Sequence, residues 1–172
     1  GWKYVPAKDL PRQTSDAMVE PMVKKALIRL NPEIAEKPSR ADDVIYKLRT
    51  LLLSVQPHNL ITQNERFRKI LFEENSYPFG KDGRMTPIRF FGTMTAENLE
   101  LNEYIVTNQW TYAKNDNNKR LDIVLLINGF PVVIGELKTP VREAISWMDA
   151  AFDIVNYEQS IPAMFVPNVL NF

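Results

Sequence analysis

Two short segments, Arg-Leu-Asp and Gly-Glu-Leu-Lys, contain the residue types that metal-dependent phosphodiester hydrolysis requires. They supply two carboxylates, Asp122 and Glu136, and one amine, Lys138. A Mg²⁺ ion held by two carboxylates polarises a phosphoryl oxygen and lowers the pKa of a bound water, while an ammonium stabilises developing charge. The backbone carbonyl of Leu137 is a third expected ligand, with water and phosphate oxygens completing the coordination. The sequence therefore predicts a metal-dependent nuclease site.

The side chains of this site must be placed by two adjoining strands. Apolar, β-branched residues predict strands over 121–127 and 132–137, joined at an Asn-Gly pair that is typical of a hairpin turn. Residues two apart on a strand face the same side of a sheet, so Glu136 and Lys138 share a face. Asp122 must lie on that face as well.

The turn between the strands decides whether Asp122 meets this requirement. A strict two-residue turn places Asp122 opposite Gly135, so Glu136 points to the other face. A three-residue turn over 127–129, with its glycine in the left-handed bulge position, places Asp122 opposite Ile134 and diagonal to Glu136, roughly 7–8 Å away. We therefore predict a bulged turn, and a regular two-residue turn would count heavily against the site.

A simpler interpretation of these charges is that Glu136 and Lys138 cap an apolar strand at the edge of the sheet. Charged strand ends are common, and Glu-x-Lys alone is a weak signal. Asp122 argues for the functional interpretation because it lies inside the run Leu-Asp-Ile-Val-Leu-Leu. Burying an unpaired carboxylate there is costly unless a cation compensates it.

Composition restricts the kind of metal and the class of protein. The 172 residues include no cysteine and one histidine, His58, which we interpret as an ordinary surface or helix-end residue. Thiolate zinc sites, iron–sulfur clusters, disulfides and histidine-rich nuclease centres are thereby disfavoured, which leaves oxygen ligands and hence Mg²⁺ or Mn²⁺. The net charge is zero, but residues 121–172 carry two basic and six acidic side chains. No apolar run approaches the roughly 18–20 residues of a membrane helix, so we expect no membrane partner.

The remaining pattern predicts one α/β domain with a helical part at 1–75 and a sheet and catalytic part at 76–172. Apolar spacing predicts helices over 17–30, from an N-cap at Ser39 through Leu52, and over 63–73. Further strands are expected over 88–92, 104–112 and 163–169, and a polar loop over 114–119.

One more helix is predicted after the second site strand. Thr139 is its expected N-cap and Pro140 its first residue, and Pro162 ends it. Its buried face is expected to comprise Val141, Ala144, Ile145, Met148, Phe152 and Val155. Asp153 and Tyr157 share a face opposite that stripe or at its border, because they are four residues apart.

Several polar residues near the site carry weaker predictions. Arg120, Lys119 and Lys114 are suited to contact phosphates, although a solvated loop is the more ordinary role for them. Tyr157 is interpreted as either a half-buried structural tyrosine or a residue that contacts DNA. Gln109 and Trp110 lie in a strand and are expected to be structural.

Over nearly the whole chain, the sequence resembles the N-terminal part of the R (restriction and translocation) subunit of type I restriction–modification enzymes. The densest match is residues 120–138, followed by Tyr157 and Ile161-Pro162. Weaker matches are the opening Gly1-Trp2, residues 26–32, Asn64 with Phe67 and Leu71, and residues 106–109.

The resemblance implies a restriction-endonuclease-like PD-(D/E)xK fold, with a mixed central sheet flanked by helices and extra N-terminal helices. Asp122, Glu136 and Lys138 occupy its motif positions. It implies a type I site-specific deoxyribonuclease that cuts double-stranded DNA after ATP-driven translocation, together with methyltransferase and specificity subunits, in the cytoplasm of a bacterium or archaeon. The chain has no Gly-x-x-x-x-Gly-Lys-Ser/Thr loop, so ATP is expected to act only in a full-length subunit. We accordingly expect the chain to be a piece of a larger motor subunit.

The sequence departs from the family pattern at two positions. Leu121 stands where the family usually has proline, which suits a strand equally well. Asp153 stands where the family's Gln-x-x-x-Tyr motif has glutamine, which puts the role of this helix face in question. A supporting helix glutamate of the family corresponds to either Glu20 or Glu65.

Two other classes of protein compete with the nuclease interpretation. One is a DNA-binding or subunit-assembly module that keeps the nuclease fold without cleaving, which the change at Asp153 favours. The other is an unrelated α/β domain whose acidic strand is structural, which the intact set of Asp122, Glu136 and Lys138 disfavours.

Overall fold

The structure is a computed structural model that describes residues 1–93, 95–114, 117–138 and 147–172. Its strands are β1 (Lys3–Tyr4), β2 (Ser76–Tyr77), β3 (Thr86–Pro87), β4 (Tyr104–Lys114), β5 (Asn117–Ile127), β6 (Phe130–Gly135) and β7 (Leu170–Asn171). Its α-helices are α1 (Glu20–Leu30), α2 (Pro32–Glu36), α3 (Arg40–Ser54), α4 (Leu60–Phe72), α5 (Ala96–Leu99) and α6 (Trp147–Ser160). Short 3₁₀ turns cover Ala7–Asp9, Pro57–Asn59, Lys81–Gly83 and Pro162–Phe165.

Five strands form a mixed sheet in the order β1-β4-β5-β6-β7. The long strands β4, β5 and β6 are antiparallel to one another, while β1 and β7 add parallel pairs at the two edges. β2 and β3 form a separate two-stranded ribbon. The predicted α/β class with a mixed sheet and accompanying helices is therefore confirmed.

The N-terminal helices follow the predicted apolar spacing closely. α1 buries Met22, Val23, Ala26, Leu27 and Leu30, and α4 buries Phe67, Ile70 and Leu71. α1 begins at Glu20 rather than at residue 17, because Pro21 lacks a backbone N–H and is tolerated only in a first helical turn. Ser39 precedes α3 as predicted, but its side chain makes no capping hydrogen bond.

The core joins these helices to the sheet through aromatic side chains. Phe130 of β6 makes edge or tilted contacts with Phe67 of α4 and with Phe90 and Phe91, at ring-centroid distances of 5.6 to 6.2 Å. Phe67, Phe90 and Phe130 are each almost completely buried. Within the described residues, no helix is both long and apolar enough to cross a membrane.

The predicted strand over 88–92 is wrong, and so is the predicted strand over 163–169. In the first, side-chain amides take the place of a neighbouring strand: Asn31 accepts from the N–H of Arg89, and Asn128 donates to the carbonyl of Phe90. In the second, Pro162–Phe165 is a 3₁₀ turn, and the amide of Asn64 donates to the carbonyls of Phe165, Val166 and Asn168. Buried amides satisfy these irregular backbones, which periodicity alone does not reveal.

The polar loop expected over 114–119 is shorter than predicted. β4 continues to Lys114 and pairs there with Asn117, so only residues 115 and 116, which lie outside the described residues, connect the strands. β5 therefore begins at Asn117, opposite the end of β4, and runs back along β4 past Asp122.

Candidate metal-dependent nuclease site

The hairpin between β5 and β6 closes with a two-residue turn, so the predicted three-residue bulged turn is wrong. Ile127 pairs with Phe130, and the two residues between them have positive φ angles, 52° at Asn128 and 90° at Gly129. Asparagine and glycine tolerate the left-handed conformation that a type I′ turn requires at both central positions. A Cβ at Gly129 would also lie 2.6 Å from the carbonyl oxygen of Val19, so the turn is packed tightly against the start of α1.

The extra residue that the site needs lies inside β6 instead. Leu126 pairs with Pro131 but Leu125 pairs with Val133, so Val132 is an added residue that forms a β-bulge. Pro131 cannot donate a ladder hydrogen bond, and prolines within sheets are confined to edges and bulges. Beyond the bulge the register changes by one residue.

The changed register brings the two acidic residues together. Ile123 pairs with Gly135, the last residue of β6, and one further step places Asp122 directly opposite Glu136. Directly opposed residues share a face of the sheet, with Cβ atoms roughly 4.5–5.5 Å apart. The two-residue turn alone would have separated these carboxylates, and the bulge restores the shared face.

Asp122 is half-buried and is held through both carboxylate oxygens. Its Oδ2 accepts from the backbone N–H of Leu137 at 3.0 Å, and its Oδ1 lies 3.4 Å from Nε2 of Gln109. The leucine side chain itself is exposed. The carboxylate therefore replaces a ladder partner just beyond the end of β6, while the predicted role of the Leu137 carbonyl as a metal ligand stays a prediction.

Glu136 has a buried carboxylate with one oxygen that no described residue satisfies. Its side chain is 9% exposed, Oε1 lies 3.4 Å from Nζ of Lys138, and the buried Oε2 has no hydrogen-bond partner among the described residues. Burial raises the pKa of this carboxyl, the charge of Asp122 raises it further, and Lys138 acts in the opposite direction. A buried, unpartnered carboxylate oxygen beside a second carboxylate fits a divalent cation. The cation would offset both the cost of burying the charge and the repulsion between the two carboxylates.

Lys138 is held by two carboxylates rather than one. Besides Glu136, its ammonium forms a close ion pair with Asp153 of α6. The hydrogen bond that Lys138 donates to Asp153 is the main cause that raises the pKa of Lys138, and the charge of Glu136 adds to it. The sequence did not suggest this contact, because Lys138 follows β6 whereas Asp153 lies in α6, and the two residues meet only in the folded chain.

The orientation of α6 differs from the prediction. Met148, Phe152 and Val155, expected to be buried, are exposed, and the helix instead turns Ile154 and the half-buried Asp153 and Tyr157 inward. Thr139, Pro140, Val141, Ala144 and Ile145, which carried the rest of that prediction, lie outside the described residues. The shared face of Asp153 and Tyr157 is thus present, and it faces the site, at the border of the side that Ile154 buries.

Tyr157 lies close enough to the charged site residues for their charges to affect its pKa. Burial is the main cause that raises its pKa, followed by the charges of Glu136 and Asp153. The ammonium of Lys119 lies 5.6 Å from the centre of its ring. Arg120 is exposed on β5. The contacts predicted between these residues or Lys114 and phosphates stay predictions.

The remaining predicted residues are placed elsewhere. Both carboxylate oxygens of Glu20 accept from the guanidinium of Arg49, and Glu65 is exposed on α4. Neither glutamate contacts the site group in the described part of the structure. His58 is exposed on a 3₁₀ turn, in agreement with its interpretation as a surface residue.

Asp122 and Glu136 are too few ligands to hold a metal ion by themselves. Within the described ranges, no set of three histidine, cysteine or acidic side chains is arranged to hold a metal ion. Mg²⁺ is commonly bound by one or two carboxylates while it keeps several waters and takes substrate phosphates as further ligands. Asp122 and Glu136 match that mode of binding.

The structure therefore defines an α/β domain with a mixed sheet, in which two carboxylates and a lysine meet beside the middle of β5, where β6 ends. The chain belongs to the family described as type I restriction enzyme R protein N terminus, whose model matches residues 1–172. The resemblance noted in the sequence is thereby confirmed.

Individual relatives agree with this family. The chain is 27% identical over 177 residues to the type I restriction enzyme HindI endonuclease subunit of Haemophilus influenzae, covering 98% of the chain and 16% of that protein. It is 26% identical over 153 residues to a provisionally named type I restriction enzyme MjaIXP endonuclease subunit of Methanocaldococcus jannaschii, covering 87% of the chain and 14% of that protein. The chain thus spans about a sixth of the length of these relatives.

Proposed function

We propose that this chain is the endonuclease part of a type I restriction enzyme R subunit, with a PD-(D/E)xK fold, and that it hydrolyses phosphodiester bonds of double-stranded DNA. The observation that carries the proposal is the position of Asp122, one step beyond the last pair of β5 and β6 and thus opposite Glu136, whose buried Oε2 has no partner among the described residues. Lys138 lies beside this pair. A structural acidic strand would not need two adjoining carboxylates, one of them buried.

In this proposal Asp122, Glu136 and the carbonyl of Leu137 hold Mg²⁺ or Mn²⁺. The bound ion supplies a polarised phosphoryl oxygen and an activated water. The N–H of Leu137 fixes the orientation of the aspartate, since it donates to Oδ2. Lys138 directs its ammonium toward Glu136 and can move from Asp153 toward the negative charge of an incoming phosphate.

The rest of the proposed activity belongs to a larger assembly. The relatives are endonuclease subunits roughly six times as long as this chain. ATP binding and translocation are assigned to such a full-length subunit, acting in the cytoplasm with methyltransferase and specificity subunits. The recognised DNA sequence is assigned to the specificity subunit, because these residues show no base-reading helix or finger motif.

The test is DNA cleavage by the full-length subunit assembled with its partners. We expect Asp122→Ala and Lys138→Ala to reduce Mg²⁺-dependent cleavage of plasmid DNA by at least 100-fold, while ATP hydrolysis continues. Glu36→Ala, an exposed change on α2, is the control and should cleave like the wild type. Cleavage that survives both site substitutions would refute the assignment.

A second function, a module that binds DNA or assembles subunits without cleaving, is favoured by one contact. The ion pair with Asp153 neutralises Lys138, the cation that would otherwise face the DNA. If this alternative holds, the assembled wild-type enzyme binds DNA and hydrolyses ATP but leaves the plasmid uncut in Mg²⁺ and in Mn²⁺.

A further inference from the structure

One residue in the middle of β4 has a backbone conformation that strands rarely contain. Gln109 has a φ of 54°, although the pairs on either side of it, Asn108 with Ile123 and Trp110 with Leu121, are regular. Residues other than glycine seldom adopt this left-handed region, and such strain persists where the surroundings impose it. A glycine would adopt the same conformation without cost.

The strained residue lies directly opposite the candidate metal ligand. The unchanged register of β4 and β5 sets Gln109 beside Asp122, as Asp122 is beside Glu136 on the next strand. Nε2 of Gln109 lies 3.4 Å from Oδ1 of Asp122, while Leu137 donates to Oδ2. The side chains of Gln109, Asp122 and Glu136 therefore lie in a row from β4 across β5 to the residue that follows β6, and Asp122 is contacted from both sides.

The burial pattern shows what the left-handed residue changes in the sheet. Thr107 and Trp110 are both completely buried, so the buried face of β4 changes between them, and the intervening residues are exposed. β5 changes at the same level, since Leu121 and Val124 are completely buried on either side of Asp122. In a regular strand, alternate residues would stay on one face. The irregularity thus places the exposed Gln109 beside the half-buried Asp122 without interrupting the core.

We propose that Gln109 is a positioning residue for Asp122, holding one oxygen of that carboxylate in the orientation in which it binds the metal. The inference rests on the proposed function, because it concerns the same site. If the left-handed conformation served only to bend the strand, glycine at this position would bend it equally well and leave metal binding unchanged. A positioning role instead requires both the conformation and an amide long enough to reach the aspartate.

Two substitutions separate these requirements. Gln109→Gly keeps the left-handed backbone without strain and removes the amide, whereas Gln109→Asn tolerates this conformation but is one methylene shorter. We expect both variants of the 172-residue chain to bind Mn²⁺ about tenfold more weakly in calorimetry. The melting temperature of the glycine variant should stay at or above the wild-type value. If the weaker metal binding came only from damage to the fold, the melting temperature would fall instead.

The control is Asn108→Ala, a change at the adjacent exposed position, whose side chain accepts from the hydroxyl of Tyr4 instead. It should bind Mn²⁺ like the wild type. Wild-type affinity in both Gln109 variants would overturn the positioning role alone. A weaker affinity accompanied by a clear fall in the melting temperature of the glycine variant would also overturn it. A wild-type chain that binds no Mn²⁺ would overturn the proposed metal site together with this inference.

Discussion

Replacing Glu136 by glutamine should separate the stability of the protein from its response to metal. The wild-type carboxylate is buried beside Asp122 with one unpartnered oxygen, so its charge is costly until a cation is bound. Glutamine has nearly the same shape and no charge. Without metal, the Glu136→Gln variant should therefore melt at or above the temperature of the wild type.

The effect of metal on the wild type can be worked out from linkage. At free Mn²⁺ one hundred times its dissociation constant, binding stabilises the folded state by about 2.7 kcal/mol. For a chain of this length, 1 kcal/mol corresponds to about 2–4 °C, so the melting temperature should rise by about 5–11 °C. If the glutamine variant binds at least 100-fold more weakly, the same Mn²⁺ adds no more than about 0.4 kcal/mol, or about 2 °C.

The assay is thermal unfolding followed by circular dichroism, with and without Mn²⁺. Glu158→Gln is the matched control, because Glu158 is a half-buried carboxyl on α6 whose pKa is also raised by burial. It should leave the metal-dependent rise unchanged. A Glu136→Gln variant that keeps the full rise would refute the role of this carboxylate in metal binding.

Two further predictions concern stability. Asp153→Asn should lower the free energy of unfolding by less than about 1 kcal/mol in urea denaturation, because the ion pair with Lys138 is partly exposed; a loss above 2 kcal/mol would contradict this. Tyr77→Phe removes a buried hydroxyl that lacks a hydrogen-bond partner among the described residues, so stability at pH 7 should stay equal or rise by up to about 1 kcal/mol. Burial raises the pKa of Tyr77 to about 12, so the stability contributed by its protonated form is complete below pH 10 and lost as the pH rises through 12. The phenylalanine variant should lack this loss of stability. Identical urea midpoints for the wild type and the Tyr77→Phe variant at pH 11 would contradict the prediction.

The elements with strong periodicity could be predicted from the sequence, because burial dictates their pattern. The sequence predicts the bounds of α1, α4 and the two apolar strands of the site to within a few residues of those observed. The helix starts were less accurate, because the buried residues 17–19 continue the apolar pattern without being helical.

The register of the site could not be predicted from hydrophobicity. Both Pro131 and Ile134 are buried in β6, so the strand has no alternation that would reveal the added residue Val132. Proline inside the strand was the available signal, because it removes a ladder donor at the bulge. The Asn-Gly pair identified the position of the turn correctly, although the bulge lies elsewhere.

The contacts of α6 required knowledge of the packed structure. Its apolar residues Met148, Phe152 and Val155 suggested a buried stripe, yet the face that packs inward includes Asp153. Likewise, nothing local to Gln109 distinguishes it from other strand residues, because its importance depends on its cross-strand neighbour and on a backbone angle.

The bulge at Val132 also restricts how this segment can change during evolution. Adding or deleting a single residue between Asp122 and Glu136 would rotate one carboxylate to the opposite face unless a second change compensated it. Homologous chains that remain active should therefore differ in this interval by even numbers of residues, or by one residue together with the gain or loss of a bulge. A natural sequence that breaks this parity rule while keeping all three charged residues would be a chain whose motif is intact but whose site is not.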